Sequence, residues 1–277
     1  MNRLSYILQS LDLSRKRRRK SLLTLRSAMH MDILILIVKI HIAIRMEKIR
    51  MNDKNFLKLL QSVDAFFPIG AFTLSNGLED YVMRNKIKSE EDLMIYLKNF
   101  IAVFPYNDLG LLSLAYRHAD HKEQILHLDH IAGAMKSARE IRTGSVKMCS
   151  RYLKAREAIG DLSEGLSWYQ KQVREKNALG FHPVALGIYA AELGFAQEEL
   201  LVMYGYSVIS AIVNNAVKLV PLSQLGGQRI LFEEMEKLTE AAKKAMKTET
   251  EMLGVSGAAY EIHCMNHEHL YSRQYMS

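Results

Sequence analysis

The sequence predicts an all-α protein, a single-domain helical bundle of about ten helices that follows an unrelated-looking N-terminal extension. Three observations support this prediction. After Met51, apolar residues recur at the three- and four-residue spacing of amphipathic helices. No segment alternates apolar and polar residues as a half-buried strand does. The four prolines fall between the helical segments, where they mark boundaries.

The first helices are predicted from apolar spacing together with caps and prolines. Ser89 stands three residues before Asp92, as in a capping box, so a helix is expected to start there. Pro68 ends the first helix and Pro105 ends the third, since proline cannot continue a helix. In chain order we predict helices over 56–63, 75–84, 89–104 and 108–120.

The later helices are longer and more apolar. Gly144 is expected to bend one long helix, and Pro183 suits the first turn of another. The segment 196–219 is apolar on most sides and is therefore the predicted central helix. We predict helices over 123–154, 161–177, 182–191, 196–219 and 228–247.

The first 50 residues differ from the rest of the chain. Of 37 basic and 30 acidic residues, 12 and 3 fall there, so the remaining residues carry 25 basic and 27 acidic side chains. The apolar run 33–44 is shorter than a membrane span and is broken by Lys39 and His41. We expect upstream sequence translated from too early a start, with a mitochondrial-type presequence as the alternative. The predicted domains are 1–50, 51–250 and a partner-binding C-terminal tail over 251–277.

Composition restricts the class of protein. A nucleic-acid-binding function would depend on the first 50 residues alone, because the rest is nearly neutral. No membrane association is expected either. Cys149 and Cys264 are too few for a disulfide framework, which indicates a reducing compartment and predicts a cytoplasmic protein.

Motifs for catalysis are missing. The sequence has no G-x-x-x-x-G-K-[ST] loop, no H-E-x-x-H and no G-x-S-x-G. His263, Cys264 and His267 are candidate metal ligands by composition, although their spacing matches no standard site and packing against a partner is favoured. The alternative function is a metal-handling or hydrolytic helical enzyme that uses these histidines and the cysteine.

A cluster of charges lies in the middle of the chain. Arg139 and Arg142, with Glu140 between them, could supply an arginine finger to a GTPase partner. A helix surface with salt bridges explains the same pattern and is favoured, because residues three apart share one helix face.

Three stretches of the sequence match the motifs of one protein family. Residues 67–79, FPIGAFTLSNGLE, are similar to the family's P-I-G-x-[FY]-[ST]-x-S-x-G-L-E. Residues 220–228 contain a P-L-S-Q turn and a later G-Q pair, and 267–277 resemble the closing H-E-x-L-[YF]-S-R segment. Together these stretches resemble the UreF family of urease accessory proteins. The resemblance covers 52–277 and gives these motif residues: Pro68, Gly70, Ser75, Gly77 and Glu79. We expect Gly70 and Gly77 to need positive φ or close helix approach.

The resemblance implies a non-catalytic scaffold of urease maturation. Such proteins are expected to form homodimers, to bind a UreD (UreH) partner and to recruit the GTPase UreG, so that nickel enters apo-urease at the expense of GTP. The resemblance leaves open whether UreF activates, gates or only positions UreG. It implies that no cofactor is bound stably, since nickel is handled by the complex.

Candidate partner contacts also follow from the resemblance. Dimerisation and UreG recruitment are assigned to 196–219 and the turn after it, with Tyr206 as the interface residue. Val202 stands where some members have a basic residue. The tail is expected to be mobile until it binds UreD. The predicted partner-binding residues are Tyr206, Pro221, Gln224, Gln228, His267, Glu268, Tyr271, Arg273, Tyr275 and Ser277.

Overall fold

Helices joined by short turns make up the protein. The computed structural model describes residues 53–255 and 257–276, and this part of the chain contains no strand. The all-α prediction is therefore confirmed, while the extension predicted for 1–50 lies outside the described residues. The helices are α1 Asp53–Val63, α2 Leu78–Met83, α3 Glu90–Val103, α4 Asp108–Arg117, α5 Lys122–Met135, α6 Arg139–Ala158, α7 Glu164–Arg174, α8 His182–Glu192, α9 Gln197–Leu219, α10 Gln224–Ala245 and α11 Ala258–Asn266.

Local signals placed some helix ends correctly and others wrongly. The Ser89 hydroxyl accepts the backbone N–H of Asp92 at 3.2 Å, so the predicted cap is confirmed. The single helix predicted over 123–154 is wrong, because the chain breaks between α5 and α6 rather than bending at Gly144. At the break, the buried Lys136 ammonium turns inward to Asp108 at 2.5 Å. A buried charge requires its ion partner, and this pair joins the residue after α5 to the start of α4.

The most enclosed helix is α8, and not α9 as the sequence predicted. All nine residues from His182 to Ala190 are buried. Gly187 allows the close approach of α4, since a Cβ there would lie 2.9 Å from the carbonyl oxygen of Leu112. Small residues thus allow α8 to pack at the centre of the domain. Helix α9 instead has a solvent-facing side that includes Tyr206.

Helix α9 is long and apolar enough, by length and composition, to cross a membrane, with a mean hydropathy of 1.5 over its best window. Half of that window is buried inside the domain. The helix packs on α10 and α4. Core helices of globular proteins meet the same criterion, so the feature gives no membrane assignment.

A buried arginine attaches α1 to the rest of the domain. Arg156 is fully buried on α6, where its guanidinium lies 2.9 Å from the Asp161 carboxylate and donates to the Lys58 carbonyl at 3.0 Å. Its cation lies 4.4 Å from the ring centroid of Tyr189. Partial burial opposes ionisation of Asp161, but hydrogen bonds from Lys58 and Tyr189 outweigh it and lower the pKa of that carboxyl. The charge of Arg156 is therefore well compensated.

Candidate partner-binding site

The loop that carries the PIGAFTLSNGLE sequence depends on two glycines. Gly70 and Gly77 have φ of 79° and 76°, as the sequence analysis expected. A Cβ on Gly77 would lie 2.9 Å from the sulfur and 3.1 Å from the backbone nitrogen of Cys264. Gly77 therefore meets both conditions, a left-handed backbone and close approach of another helix.

The C-terminal segment packs on this loop. Helix α11 contacts α2 and α6, and Cys264, His267 and Tyr275 are buried. Burial raises the pKa of the Cys264 thiol to about 12, so the group is a neutral thiol. The expectation that the tail is mobile until it binds UreD stays a prediction, but in this structure the tail packs against the domain. The reason is that the tail completes a polar cluster that the domain cannot satisfy alone.

Glu79 is the centre of that cluster. Its carboxylate is buried and accepts from the Nε2 of His267 at 2.9 Å. It also accepts the backbone N–H groups of Gln274 at 2.7 Å and Tyr275 at 3.1 Å. A buried carboxylate without such donors would be costly. Glu79 thus specifies where the tail lies, through both a side chain and the backbone.

Glu140 on α6 holds the other side of the tail. One carboxylate oxygen lies 2.7 Å from the Nδ1 of His267, and the other accepts from Arg273 at 2.5 Å. His267 therefore bridges two carboxylates that lie on different helices. Each of its ring nitrogens thus has a carboxylate partner in this structure.

A second histidine of the tail, His263, also pairs with a buried carboxylate of α2. Asp80 is buried, accepts from the Nε of Arg84 at 2.9 Å and lies 2.6 Å from the Nδ1 of His263. The Tyr81 ring stacks on His263 with centroids 3.6 Å apart. Sequence reasoning missed Asp80, whose only signal was an acid next to Glu79 on an otherwise apolar helix start.

The metal-ligand candidates do not come together. His263 pairs with Asp80, His267 pairs with Glu79 and Glu140, and Cys264 packs on Gly77. In the part of the chain that the structure describes, no three His, Cys, Asp or Glu side chains are arranged to hold a metal ion. The geometry therefore assigns these three residues to tail docking.

The charge cluster at the start of α6 contacts the tail through Arg139 and Glu140. Arg139 pairs with Glu268 at 2.8 Å, and Arg142 donates to the Lys136 carbonyl at 2.8 Å. Together with Glu140, these residues form a surface with salt bridges. The structure thus favours that interpretation over a free arginine finger.

Comparison with known proteins gives the family. The UreF family model matches residues 87–234. The urease accessory protein UreF of Actinobacillus pleuropneumoniae serotype 5b (strain L20) is 38% identical over 224 residues, which are 79% of this chain and 97% of that protein. UreF of Haemophilus influenzae (strain PittGG) is 36% identical over 222 residues, 79% and 94% of the two chains. UreF of Streptococcus salivarius (strain 57.I) is 29% identical over 230 residues, 81% and 95%.

The chain belongs to the UreF family of urease accessory proteins. Members are named as accessory proteins, which places the chain among non-catalytic factors. The cluster of buried Glu79 and His267 with half-buried Glu140 joins two of the segments by which the resemblance was recognised. In this UreF chain, the 67–79 motif and the 267–277 motif thus meet in one contact, between Glu79 and His267.

The structure sorts the predicted partner-binding residues of UreF by exposure. His267 and Tyr275 are buried and hold the tail in place, so they do not face a partner in this conformation. Glu268 and Arg273 are engaged in ion pairs within the chain. The Tyr271 side chain is fully exposed. Ser277 lies outside the described residues. The remaining four are all exposed, on α9, the following turn and the start of α10: Tyr206, Pro221, Gln224 and Gln228.

Proposed function

We propose that this UreF protein is a scaffold in urease maturation that binds a UreD (UreH) partner and recruits the GTPase UreG. The resulting complex passes nickel, as cargo, into apo-urease during GTP hydrolysis. In this proposal UreF binds no cofactor stably, acts in the cytoplasm as a homodimer and contacts neither nucleic acid nor membrane. Whether it activates or only positions UreG is a separate question for enzyme kinetics.

The docked tail is the observation that supports this proposal best. Glu79 and Glu140 hold the buried side of the tail, and this leaves the opposite side for a partner. On that side Tyr271 makes no buried contact, and Ile262 and Met265 are exposed. Exposed aromatic and apolar side chains on a firmly held segment are typical of a protein interface. We assign this side of the tail to UreD.

A second surface is proposed for UreG and for dimerisation. It consists of the exposed side of α9 and the turn into α10, with Tyr206 as its aromatic residue. Ser207 next to it donates to the carbonyl of Val63, which connects this surface to the end of α1. Exposed Phe56, Leu57 and Leu60 lie on α1. Apolar side chains at this density are a suitable self-association surface.

Co-purification with UreD and UreG tests the assignment. Tyr271→Ala should weaken UreD binding about tenfold or more, because aromatic residues at interface centres contribute most of the affinity. Tyr206→Asp should weaken UreG retention and leave the UreD complex intact. Phe66→Ala, another highly exposed aromatic, is the control for the loss of exposed ring area.

Three outcomes would contradict the proposal. Wild-type UreF could fail to retain UreD, Tyr271→Ala could bind UreD as well as wild type, or purified UreF alone could hydrolyse GTP. A form that starts at Met51 should support urease activation fully. Loss of activation in that form would show that the extension has a function.

A further inference from the structure

His267 faces a carboxylate at each of its two ring nitrogens. Its Nε2 lies 2.9 Å from Glu79, its Nδ1 lies 2.7 Å from Glu140, and the imidazole is fully buried. A charged carboxylate can only accept hydrogen bonds, and a neutral imidazole has a single N–H to donate. Both contacts are hydrogen bonds only if His267 carries a proton on each nitrogen. The geometry therefore requires an imidazolium at this position.

The other donors around the ring place this second proton on the histidine rather than on a glutamic acid. Arg273 of the tail donates to the second carboxylate oxygen of Glu140, which is the pairing that a guanidinium makes with a charged carboxylate. Glu79 accepts two backbone N–H groups of the tail in addition to the ring. With Arg273 and His267 positive and both glutamates negative, the cluster is neutral as a whole. Loss of the proton from His267 leaves one uncompensated negative charge in a largely buried site.

The remaining charged side chains around the tail contact are paired with one another. They form these contacts: Arg84 with Asp80, Arg139 with Glu268, Lys136 with Asp108, and exposed His269 with Glu268. The other buried histidine contact of the tail differs from that of His267. His263 meets a single carboxylate, that of Asp80, so a neutral ring with one N–H satisfies this contact. The balance of Glu79 and Glu140 thus depends on Arg273 and on the charge of His267.

We propose that the second proton on His267 controls the docking of the tail. While this proton is bound, His267 joins α2 to α6 and the tail packs on both helices. When the proton is lost, one of the two hydrogen bonds loses its donor, and Glu79 and Glu140 repel each other across the ring. A histidine exposed to water releases this proton near roughly pH 6.5. Because the docked tail binds a proton that the free tail releases, docking weakens as pH rises.

This switch is a property of free UreF and goes beyond the scaffold function proposed above. Nitrogen NMR of the full chain, with nitrogen-15 in its histidines, reads the proton directly. An imidazolium and a neutral ring differ in their ring-nitrogen shifts, and His267→Gln identifies the signals of this residue. We expect both ring nitrogens of His267 to carry a proton at about pH 7. A neutral ring at that pH would overturn the inference.

Amide exchange over 267–276 measures docking between about pH 6 and about pH 9, after each rate is divided by the intrinsic rate of an unfolded peptide at that pH. We expect protection of this segment to fall at least about tenfold over this range, while α8 keeps its protection. Glu140→Gln tests the mechanism, because its amide can donate to the Nδ1 of a neutral ring and still accept from Arg273. This variant should keep its tail protected at high pH better than wild type does. His263→Gln, on the same segment, is the control and should retain the wild-type pH dependence.

Tail protection that is independent of pH in the wild-type protein would refute the switch. A Glu140→Gln variant that loses protection with rising pH as wild type does would also refute it, and so would a pH dependence that disappears in His263→Gln. If Glu140→Gln fails to dock its tail even at about pH 6, the ring-nitrogen shifts of wild-type His267 decide the question. These measurements need no partner protein, so their result is separate from whether UreF binds UreD or UreG.

Discussion

Replacing Gly77 by alanine should both destabilise the domain and loosen the tail. The left-handed backbone at φ 76° costs a residue with a Cβ roughly 1–2 kcal/mol. The new Cβ would also lie 2.9 Å from the Cys264 sulfur and 3.1 Å from its backbone nitrogen. Such overpacking adds about 1–3 kcal/mol. The expected loss is therefore roughly 2–5 kcal/mol of unfolding free energy.

Gly160 supplies the matched control for this substitution. Its φ is 71°, but nothing lies within 4 Å of a Cβ built on it. Gly160→Ala should thus show only the backbone cost, about 1–2 kcal/mol. The difference between the two variants, about 1–3 kcal/mol, measures the contact with Cys264. For a domain of this size it corresponds to roughly 2–12 °C in melting temperature.

Urea denaturation followed by circular dichroism measures both unfolding free energies. Amide exchange over 258–266 then reports whether the tail helix detaches while the rest of the domain stays folded. If the tail detaches, Gly77→Ala should show faster amide exchange in α11 and a smaller loss of unfolding free energy. Gly160→Ala should leave the exchange rates in α11 unchanged. Equal stabilities and equal α11 exchange in the two variants would refute the claim that close approach of the tail requires Gly77.

Three further predictions concern other parts of the molecule. Burial lowers the pKa of His182 to about 4 from 6.5. Because the unfolded chain then binds a proton that the folded chain does not, stability falls as pH decreases from 6.5 toward 4. The loss is about 2 kcal/mol at pH 5 relative to pH 7. His182→Phe should remove this part of the acid sensitivity in urea titrations, and an identical pH dependence would contradict the assignment. Arg156→Met removes one donor each from the Asp161 carboxylate and the Lys58 carbonyl, which keep donors from Lys58, Tyr189 and Ser62. It should therefore cost about 1–3 kcal/mol, against less than about 0.5 kcal/mol for exposed Lys154→Met. Similar chemical denaturation midpoints for these two variants would be the contrary result. Glu79→Gln should accelerate amide exchange throughout 258–276 while α8 stays protected, since Glu79 accepts from His267 and from two tail N–H groups; unchanged tail exchange would mean that this carboxylate is dispensable for docking.

Helix prediction succeeded where the physical cause was local. The Ser89 cap, the prolines and the apolar spacing each act within one or two helical turns, and the structure contains the corresponding helices. It failed where a distant residue decided the result. The break before α6 depends on Lys136 reaching Asp108 across 28 positions, and the central place of α8 depends on Gly187 meeting α4.

The candidate site shows the same division. The sequence marked Glu79 and His267 as members of separate motifs, but these residues are 188 positions apart and no periodicity relates them. It offered His263 and Cys264 as metal-ligand candidates beside the favoured packing role, because a list of residue types contains no distances.

By itself, the sequence determined the helical class, several helix ends, the two glycines that need positive φ and the likeness to UreF. These properties follow from spacing within a few residues or from matching order along the chain. Only the tertiary structure decided which helix is central, that the tail docks, and which acids hold His267 and His263. The physical reason is that a buried carboxylate such as Glu79 must be satisfied by some donor, while the sequence does not say which one. The donors that bond to Glu79 are those that the folded chain brings within hydrogen-bonding distance of its carboxylate.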